Sequence, residues 1–121
     1  MSPNRKRPTL PLRRGVIYAA TLSEEVGEKY WLVVSNNQRN QAFGNALAIR
    51  ITTTVRSDRP SRVALPPENA VNGWALCDEV TTLYDDEPVA ELSGLSMAAM
   101  ADVNVGLMAA LGIPLPQTEG V

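Results

Sequence analysis

The sequence predicts a mainly β fold, a small antiparallel barrel or sandwich that is followed by one C-terminal helix. Six short segments rich in branched and aromatic residues follow one another at close spacing, which favours an antiparallel all-β fold over alternating strands and helices. Polar turns separate these segments, and apolar residues take up helical spacing only near the end of the chain. The predicted strands are residues 15–22, 31–35, 46–54, 62–65, 74–83 and 89–92.

The first half of the predicted sheet contains its central strand. Residues 15–22 are rich in branched and aromatic side chains, and the acidic stretch 23–28 predicts a loop after them. Residues 31–35 (WLVVS) lack polar alternation, which is typical of a strand buried on both faces. Residues 36–45 are interpreted as a loop, and the apolar strand at 46–54 ends in three consecutive threonines.

Turn signals delimit the later strands, and capping signals delimit the helix. The pair Asn72-Gly73 and the acidic turn at 85–88 each precede a predicted strand. Ser96 can cap the N-terminus of a helix, and Gly112 supplies a stop signal at its end. The apolar positions at three- and four-residue steps in this helix are Met100, Val103, Leu107 and Leu111.

The 121 residues are predicted to form one domain with two flexible ends. The domain is assigned to residues 14–114, the Pro- and Arg-rich segment 1–13 to a basic arm, and residues 115–121 to a tail. No apolar run approaches the roughly 20 residues that span a bilayer, and no signal peptide is recognised, so no membrane contact is predicted. The single cysteine, Cys77, is interpreted as a small buried hydrophobe and indicates a reducing, cytoplasmic location.

The charge is divided sharply along the chain. All eleven Lys and Arg residues lie in the first 62 residues, which contain four acids, so this half has a net charge of +7. From Val63 onward nine acids and no base give −9. This asymmetry suggests a surface that faces a polyanion, although two halves that pack together and neutralise each other would show the same pattern.

Two strand ends hold the residues with the clearest chemical potential. Lys29 lies just before the second predicted strand, and Thr52 and Thr53 lie at the end of the third. If these strands are neighbours, charge and hydroxyls converge at one rim of the sheet, where they could hold and attack a phosphodiester. The chain has no histidine and no metal-spaced carboxylate cluster, so neither a metal nor a cofactor is predicted.

Five segments of the chain occur in a recognisable order. They are residues 14–18 (RGVIY), 32–36 (LVVSN), 48–53 (AIRITT), 75–83 (ALCDEVTTL) and the helix between Leu95-Ser96 and 110–113 (ALGI). In this order they resemble the MazF/PemK family of bacterial toxins, over roughly residues 13 to 113. The resemblance implies an SH3-like β-barrel with a C-terminal helix, a homodimer, metal-independent endoribonuclease activity and a cognate antitoxin.

The resemblance also implies where the chemistry lies. In the family an arginine just before the second strand and a threonine at the end of the third carry it. The threonine position falls on Thr52, whereas the arginine position falls on Lys29, which is a departure because a lysine lacks the planar fork of arginine. Either the site works with an ammonium, or Arg14 or Arg50 takes the arginine's part, or catalysis is weak or lost.

RNA carries its own nucleophile, the 2′-hydroxyl, so such a site needs neither a metal nor a histidine. It must align that hydroxyl, help remove its proton and stabilise charge on the phosphoryl oxygens. Lys29 could supply charge and transfer a proton, and Thr52, assisted by Thr53, could hydrogen-bond a non-bridging oxygen. The expected products carry a 2′,3′-cyclic phosphate, or the 3′-phosphate opened from it, and a 5′-hydroxyl.

Further contacts to single-stranded mRNA or tRNA are assigned to residues around these strands. Arginines would pair with phosphates, and polar side chains would contact the bases. The predicted substrate-binding residues are Arg14, Thr53, Arg50, Arg56, Arg59, Arg62, Asn36 and Glu79.

Two other functions are considered. A gyrase-poisoning toxin of the same fold has a similar architecture, but its helix ends in Trp-Gly-Ile, where this chain has Leu111-Gly112-Ile113. The lysine at position 29 motivates the other alternative, an inactive nuclease that is kept to bind RNA or antitoxin.

Overall fold

The computed structural model describes residues 9–54, 58–66 and 71–115. These residues form six strands and two helices in the order β1, β2, α1, β3, β4, β5, β6, α2. The elements are β1 Val16–Thr21, β2 Glu28–Val33, α1 Asn37–Phe43, β3 Asn45–Thr52, β4 Arg62–Ala64, β5 Trp74–Tyr84, β6 Pro88–Gly94 and α2 Met97–Leu111.

The six strands form one antiparallel sheet in the order β4-β5-β3-β2-β1-β6. The mainly β fold with a C-terminal helix is therefore confirmed, and each predicted strand is present. Within the described residues β4 and β6 each have a single neighbour, so the fold is barrel-like but its ladder does not close. The longest pairing joins β3 to β5, from Asn45 opposite Tyr84 to Thr52 opposite Trp74.

Strand β2 is buried on both faces at its C-terminal end, as its uninterrupted apolar sequence predicts. Leu32 contributes to a core that helix α2 covers, and Val33 contributes to a second core on the opposite face. The α2-side core contains Ile17, Leu32, Ile49, Ile51, Leu65, Val71, Ala75, Cys77, Met100 and Val103. The second core contains Leu12, Tyr18, Ala20, Val33, Ala46, Ala48 and Leu83.

The second core is closed by the segment that precedes β1. Leu12 is buried, and the hydroxyl of Tyr18 donates to the carbonyl of Pro11 (2.7 Å) and accepts from the amide of Arg13 (2.9 Å). The amide of Leu10 donates to the carbonyl of Asp85 (3.0 Å). Residues 10–13 therefore belong to the domain and not to the flexible arm to which the sequence assigns them. Residues 1–8 of that arm and 116–121 of the tail lie outside the described residues.

Helix α1 occupies the segment that the sequence predicts to be a loop, so that interpretation is wrong. Asn36 caps the helix by accepting from the amide of Arg39 (2.8 Å), and Gly44 ends it in the left-handed conformation (φ 68°). Its one buried residue, Asn40, donates to the carbonyls of Ser35 (3.0 Å) and Leu12 (3.4 Å). The helix has seven residues and is anchored by a polar side chain, so it leaves no apolar periodicity in the sequence.

Helix α2 begins and ends where the capping residues predict. Ser96 accepts from the amide of Ala99, and Gly112 (φ 72°) ends the helix. Met100 and Val103 are buried as expected, whereas Leu111 is 64% exposed, because the last turn extends past the sheet-facing part of the helix. No helix among the described residues is long and apolar enough to cross a membrane.

Cys77 lies in the α2-side core, which confirms its interpretation as a buried hydrophobe. Burial, assisted by the nearby carboxylate of Asp78, raises the pKa of its thiol from 9.0 to about 11. At pH 8 we therefore expect the native protein to react with a disulfide reagent such as DTNB at least about 100-fold more slowly than the unfolded protein, because the thiolate is the reactive form.

The same pKa shift makes stability depend on pH. Because the folded pKa lies above the unfolded one, the stabilising contribution is present below about pH 9 and is lost as the pH rises towards 11. Denaturant titrations at pH 8 and pH 10.5, with Cys77→Ala as the control, measure this loss. Rapid one-equivalent labelling of the native protein at pH 8 would contradict the buried placement.

Candidate active site

A shallow pocket lies where the start of β2 meets the end of β3. Its volume is about 200 Å³, and it brings together four of the residues that the sequence singles out. The lining residues are Glu28, Lys29, Tyr30, Arg50, Ile51, Thr52 and Thr53. Sequence reasoning missed Glu28, Tyr30 and Ile51, although each of them is adjacent in sequence to a predicted residue.

The pocket follows from the register of two adjacent strands. Strand β2 starts at Glu28, earlier than predicted, so Lys29 belongs to the sheet. In the antiparallel ladder Tyr30 lies opposite Ile51 and Trp31 lies opposite Arg50. Since side chains alternate between faces and opposed residues share a face, Lys29, Arg50 and Thr52 are on one face of the sheet. This face is opposite to the one that α2 covers, because Ile51 points towards α2.

The hydroxyl of Thr52 is oriented by a local hydrogen bond. Its Oγ1 accepts from the backbone amide of Thr54 (3.2 Å) just after β3 ends. The acceptor role leaves the hydroxyl proton available for a ligand in the pocket. Gly73 (φ 153°) packs against the carbonyl of Thr52 so closely that a Cβ at position 73 would clash with it. The backbone at the end of β3 is therefore held from the β5 side.

The two cations of the pocket are weakly neutralised. Within the described part of the chain, the ammonium of Lys29 has no hydrogen-bond or ion-pair partner. Arg50 Nη1 lies 3.9 Å from Glu79 Oε1, which is an ion pair but is too long for a hydrogen bond. Arg50 Nε is buried without any hydrogen-bond partner. A buried donor left unpaired in this way costs on the order of 1–3 kcal/mol.

Strand β5 has a bulge where it passes Arg50, and Glu79 lies in this bulge. Ile49 is paired with Val80, but the next residue, Arg50, is paired with Leu76, so β5 has three extra residues at this point. Two of the three, Asp78 and Glu79, are exposed acids. Glu79 faces Arg50 at the pocket.

Asp78 instead belongs to an ion-pair cluster at the other edge of β5. It accepts from the hydroxyl of Ser61 (2.8 Å) and lies 3.9 Å from Arg62 Nε. Arg62 also donates to Asp58, and this hydrogen bond lowers the pKa of the Asp58 carboxyl. Arg62 is thus held by two acids beside β4 and does not line the pocket.

Among the described residues, the structure does not bring the other predicted arginines or Asn36 into the pocket. Arg14 donates through Nε to the carbonyl of Val34 (3.0 Å) and through Nη2 to Asn104 Oδ1 (2.6 Å), so it ties α2 to the sheet. Asn36 is the N-cap of α1. Arg59 is exposed in the segment before β4, and Arg56 lies outside the described residues.

A second, larger cavity of about 470 Å³ lies between residues 9–13, helix α1 and Asp85. It shares no lining residue with the first pocket and contains no residue predicted to bind substrate. Its charged residue on the N-terminal side, Arg13, is paired with Glu91 (3.1 Å). The smaller pocket is therefore the better candidate for chemistry. No described group of three or more Cys, Asp and Glu residues is arranged to hold a metal ion.

The chain is similar to a known protein family and to known proteins. A model of PemK-like, MazF-like toxins of type II toxin–antitoxin systems matches residues 13–111. Endoribonuclease MazF1 of Mycobacterium bovis and Endoribonuclease MazF4 of Mycobacterium tuberculosis are each 39% identical to the chain over 103 residues, which are 85% of this chain and 95% of each relative.

Solved structures agree with this assignment. An endoribonuclease in complex with its cognate antitoxin, from a mycobacterial species, is 38% identical with a TM-score of 0.80, and the match covers 86% of this chain and 98% of that one. A MazE–MazF complex from Deinococcus radiodurans has a TM-score of 0.70 at 23% identity, covers 89% and 98% of the two chains, and supports the fold alone. The chain belongs to the PemK-like, MazF-like family of type II toxin–antitoxin toxins.

Proposed function

We propose that this protein is the toxin of a type II toxin–antitoxin pair and acts as a sequence-specific endoribonuclease that cleaves single-stranded RNA without a metal ion. The observation that supports this most is the convergence of Lys29, Arg50 and Thr52 in one pocket. Two weakly neutralised cations and a free hydroxyl proton suit a phosphodiester. The names of the mycobacterial relatives, which are endoribonucleases, support the same reaction.

The proposed reaction uses the 2′-hydroxyl of RNA as its nucleophile. The 2′-hydroxyl loses its proton to solvent as its oxygen attacks phosphorus, the bond from phosphorus to the 5′-oxygen breaks, and the 5′-oxygen takes up a proton from solvent. Thr52 donates a hydrogen bond to a non-bridging oxygen, where charge develops, and Lys29 supplies positive charge to the same group. The products are a 2′,3′-cyclic phosphate and a 5′-hydroxyl.

The proposed partners are a cognate antitoxin, a second copy of the chain, and mRNA or tRNA in the cytoplasm. One of the solved structures described above contains an antitoxin. Leu47, Val80 and Tyr84 are exposed on the α2-facing side of β3 and β5, beyond the area that α2 covers, and this apolar surface suits a homodimer. Sedimentation equilibrium of the purified protein separates a dimer from a monomer.

Incubation with a long single-stranded RNA in excess EDTA tests the proposed activity. We expect discrete fragments with 5′-hydroxyl ends, which accept label from polynucleotide kinase and ATP without prior phosphatase treatment. A matched duplex RNA is expected to stay intact, because a base-paired strand cannot present its bases to a shallow pocket.

Intact RNA at high protein concentration, with antitoxin shown to be absent, would contradict this proposal. Accumulation of trapped gyrase–DNA complexes in the same preparation would then identify a gyrase poison. RNA binding without cleavage would identify an inactive binding module.

A further inference from the structure

Arg50 is the charged residue of the pocket that has a buried, unpaired donor. Its Nε is buried and unpaired, and its nearest acid, Glu79, stays beyond hydrogen-bond distance at 3.9 Å. Arg50 lies on the same face as Lys29 and Thr52, and all three line one pocket. A partly buried guanidinium that makes no hydrogen bonds keeps its N–H donors free for a ligand. Such a ligand must accept several hydrogen bonds at once.

We propose that Arg50 is a catalytic residue that makes the bidentate contact to the scissile phosphate, and that Glu79 is the positioning residue that orients it. The proposal rests on the ribonuclease function proposed above. It assigns the bidentate phosphate contact to Arg50 in β3 rather than to Lys29 at the start of β2. Arg50 forms no covalent bond and moves no proton. It stabilises the charge that develops on the non-bridging oxygens while the 2′-oxygen attacks.

The chemistry of the two cations separates their roles. A guanidinium presents parallel N–H groups in a fixed plane that matches two phosphate oxygens, whereas an ammonium is a point charge on a flexible stem. Lys29 alone therefore cannot make a two-point contact. Arg50 can, because it is anchored within β3 opposite Trp31, two residues before Thr52 at the end of the strand.

The position of Glu79 suits it to orient Arg50. Ile49 is paired with Val80, so Arg50 and Glu79 follow next to each other on the two strands, although the bulge pairs the backbone of Arg50 with Leu76. A carboxylate at 3.9 Å attracts the guanidinium without occupying its donors. It can hold the fork in plane before RNA binds, and the donors remain free for phosphate.

The test compares matched variants in single-turnover cleavage of an RNA oligonucleotide that contains a mapped site, in EDTA. We expect about a 100-fold loss of rate in Arg50→Ala and about a 10-fold loss in Arg50→Lys, which keeps the charge but not the fork. Arg13→Ala removes the same charge from an exposed arginine outside the pocket and is expected to stay within about twofold.

A sulfur replacement at each non-bridging oxygen of the scissile phosphate reports contact directly. We expect one of the two phosphorothioate diastereomers to slow cleavage by the parent protein and to have no added effect in Arg50→Ala.

Glu79→Gln is expected to lower the cleavage rate about 5-fold in the parent background and to have no effect in Arg50→Ala, because the effects of residues in one network are not additive. A purely structural role for Glu79 would lower the rate in both backgrounds.

Each outcome decides the proposal. An Arg50→Ala protein that cleaves within twofold of the parent rate, with the phosphorothioate effect unchanged, overturns the proposal.

If the parent protein cleaves no RNA, the proposed function fails, and the role of Arg50 is decided by fluorescence anisotropy with single-stranded RNA. Weaker binding by Arg50→Ala than by Arg13→Ala then still supports the phosphate contact, and equal binding overturns it. Arg50→Lys replaces Arg50→Ala in these comparisons if thermal melting shows that the alanine variant is unfolded.

Discussion

Thr52→Val is expected to slow RNA cleavage by a factor of about 10²–10³, the usual result of removing one preorganised donor from a developing oxyanion. Valine keeps the β-branch and the strand preference of threonine, so the change removes a hydroxyl and little else. The hydroxyl already accepts from the amide of Thr54, which fixes its acceptor side and directs its proton away from the backbone. Single-turnover cleavage in EDTA measures the loss.

Two controls make this result specific to the hydroxyl. Thr52→Ser restores a donor at the same place and is expected to recover most of the rate. Thr82→Val makes the same chemical change in β5, opposite Leu47 and away from the pocket, and is expected to leave the rate unchanged. Cleavage by Thr52→Val at the parent rate would remove Thr52 from the mechanism and leave Lys29, Arg50 and Thr53 as the predicted residues in the pocket.

The meeting of Lys29 and Thr52 could be predicted from the sequence for a simple physical reason. Consecutive strands tend to be neighbours, so the start of one antiparallel strand lies beside the end of the next. Period-two alternation then places the two side chains on one face. Neither inference needs any contact between residues distant in sequence.

The placement of Arg14 and the link between Glu79 and Arg50 could not be predicted in this way. Arg14 is bound to Asn104, 90 positions away, on a helix whose docking angle no local pattern encodes. Glu79 lies beside Arg50 at a bulge in β5, and a bulge changes the register without leaving a clear signal in a run of strand-forming residues. Helix α1 was missed for a similar reason, since its burial depends on the single polar residue Asn40.

Gly106→Val is expected to have the largest effect on stability, because α2 packs against β4 and β5 through this glycine. Gly106 is buried in the helix, and a Cβ there would lie 2.6 Å from Val63 Cγ2 and 2.8 Å from Cys77 Sγ. Both neighbours are short side chains in strands and can yield little. We expect a loss of about 3 kcal/mol in the free energy of unfolding and a fall of roughly 10 °C in Tm, measured by denaturant and thermal unfolding.

Gly106→Ala tests whether the close packing around Gly106 determines stability, because helix propensity favours alanine whereas the lack of space disfavours it. Glycine in a helix interior costs about 1 kcal/mol relative to alanine, so Gly106→Ala would stabilise the protein if the space were open. We expect it to destabilise instead, and Val63→Ala in the same chain to recover part of the loss by removing the closer contact. Ala101→Val, at an exposed position of the same helix, is expected to change stability by less than about 1 kcal/mol. A Gly106→Ala protein more stable than the parent would show that α2 can move away from β5.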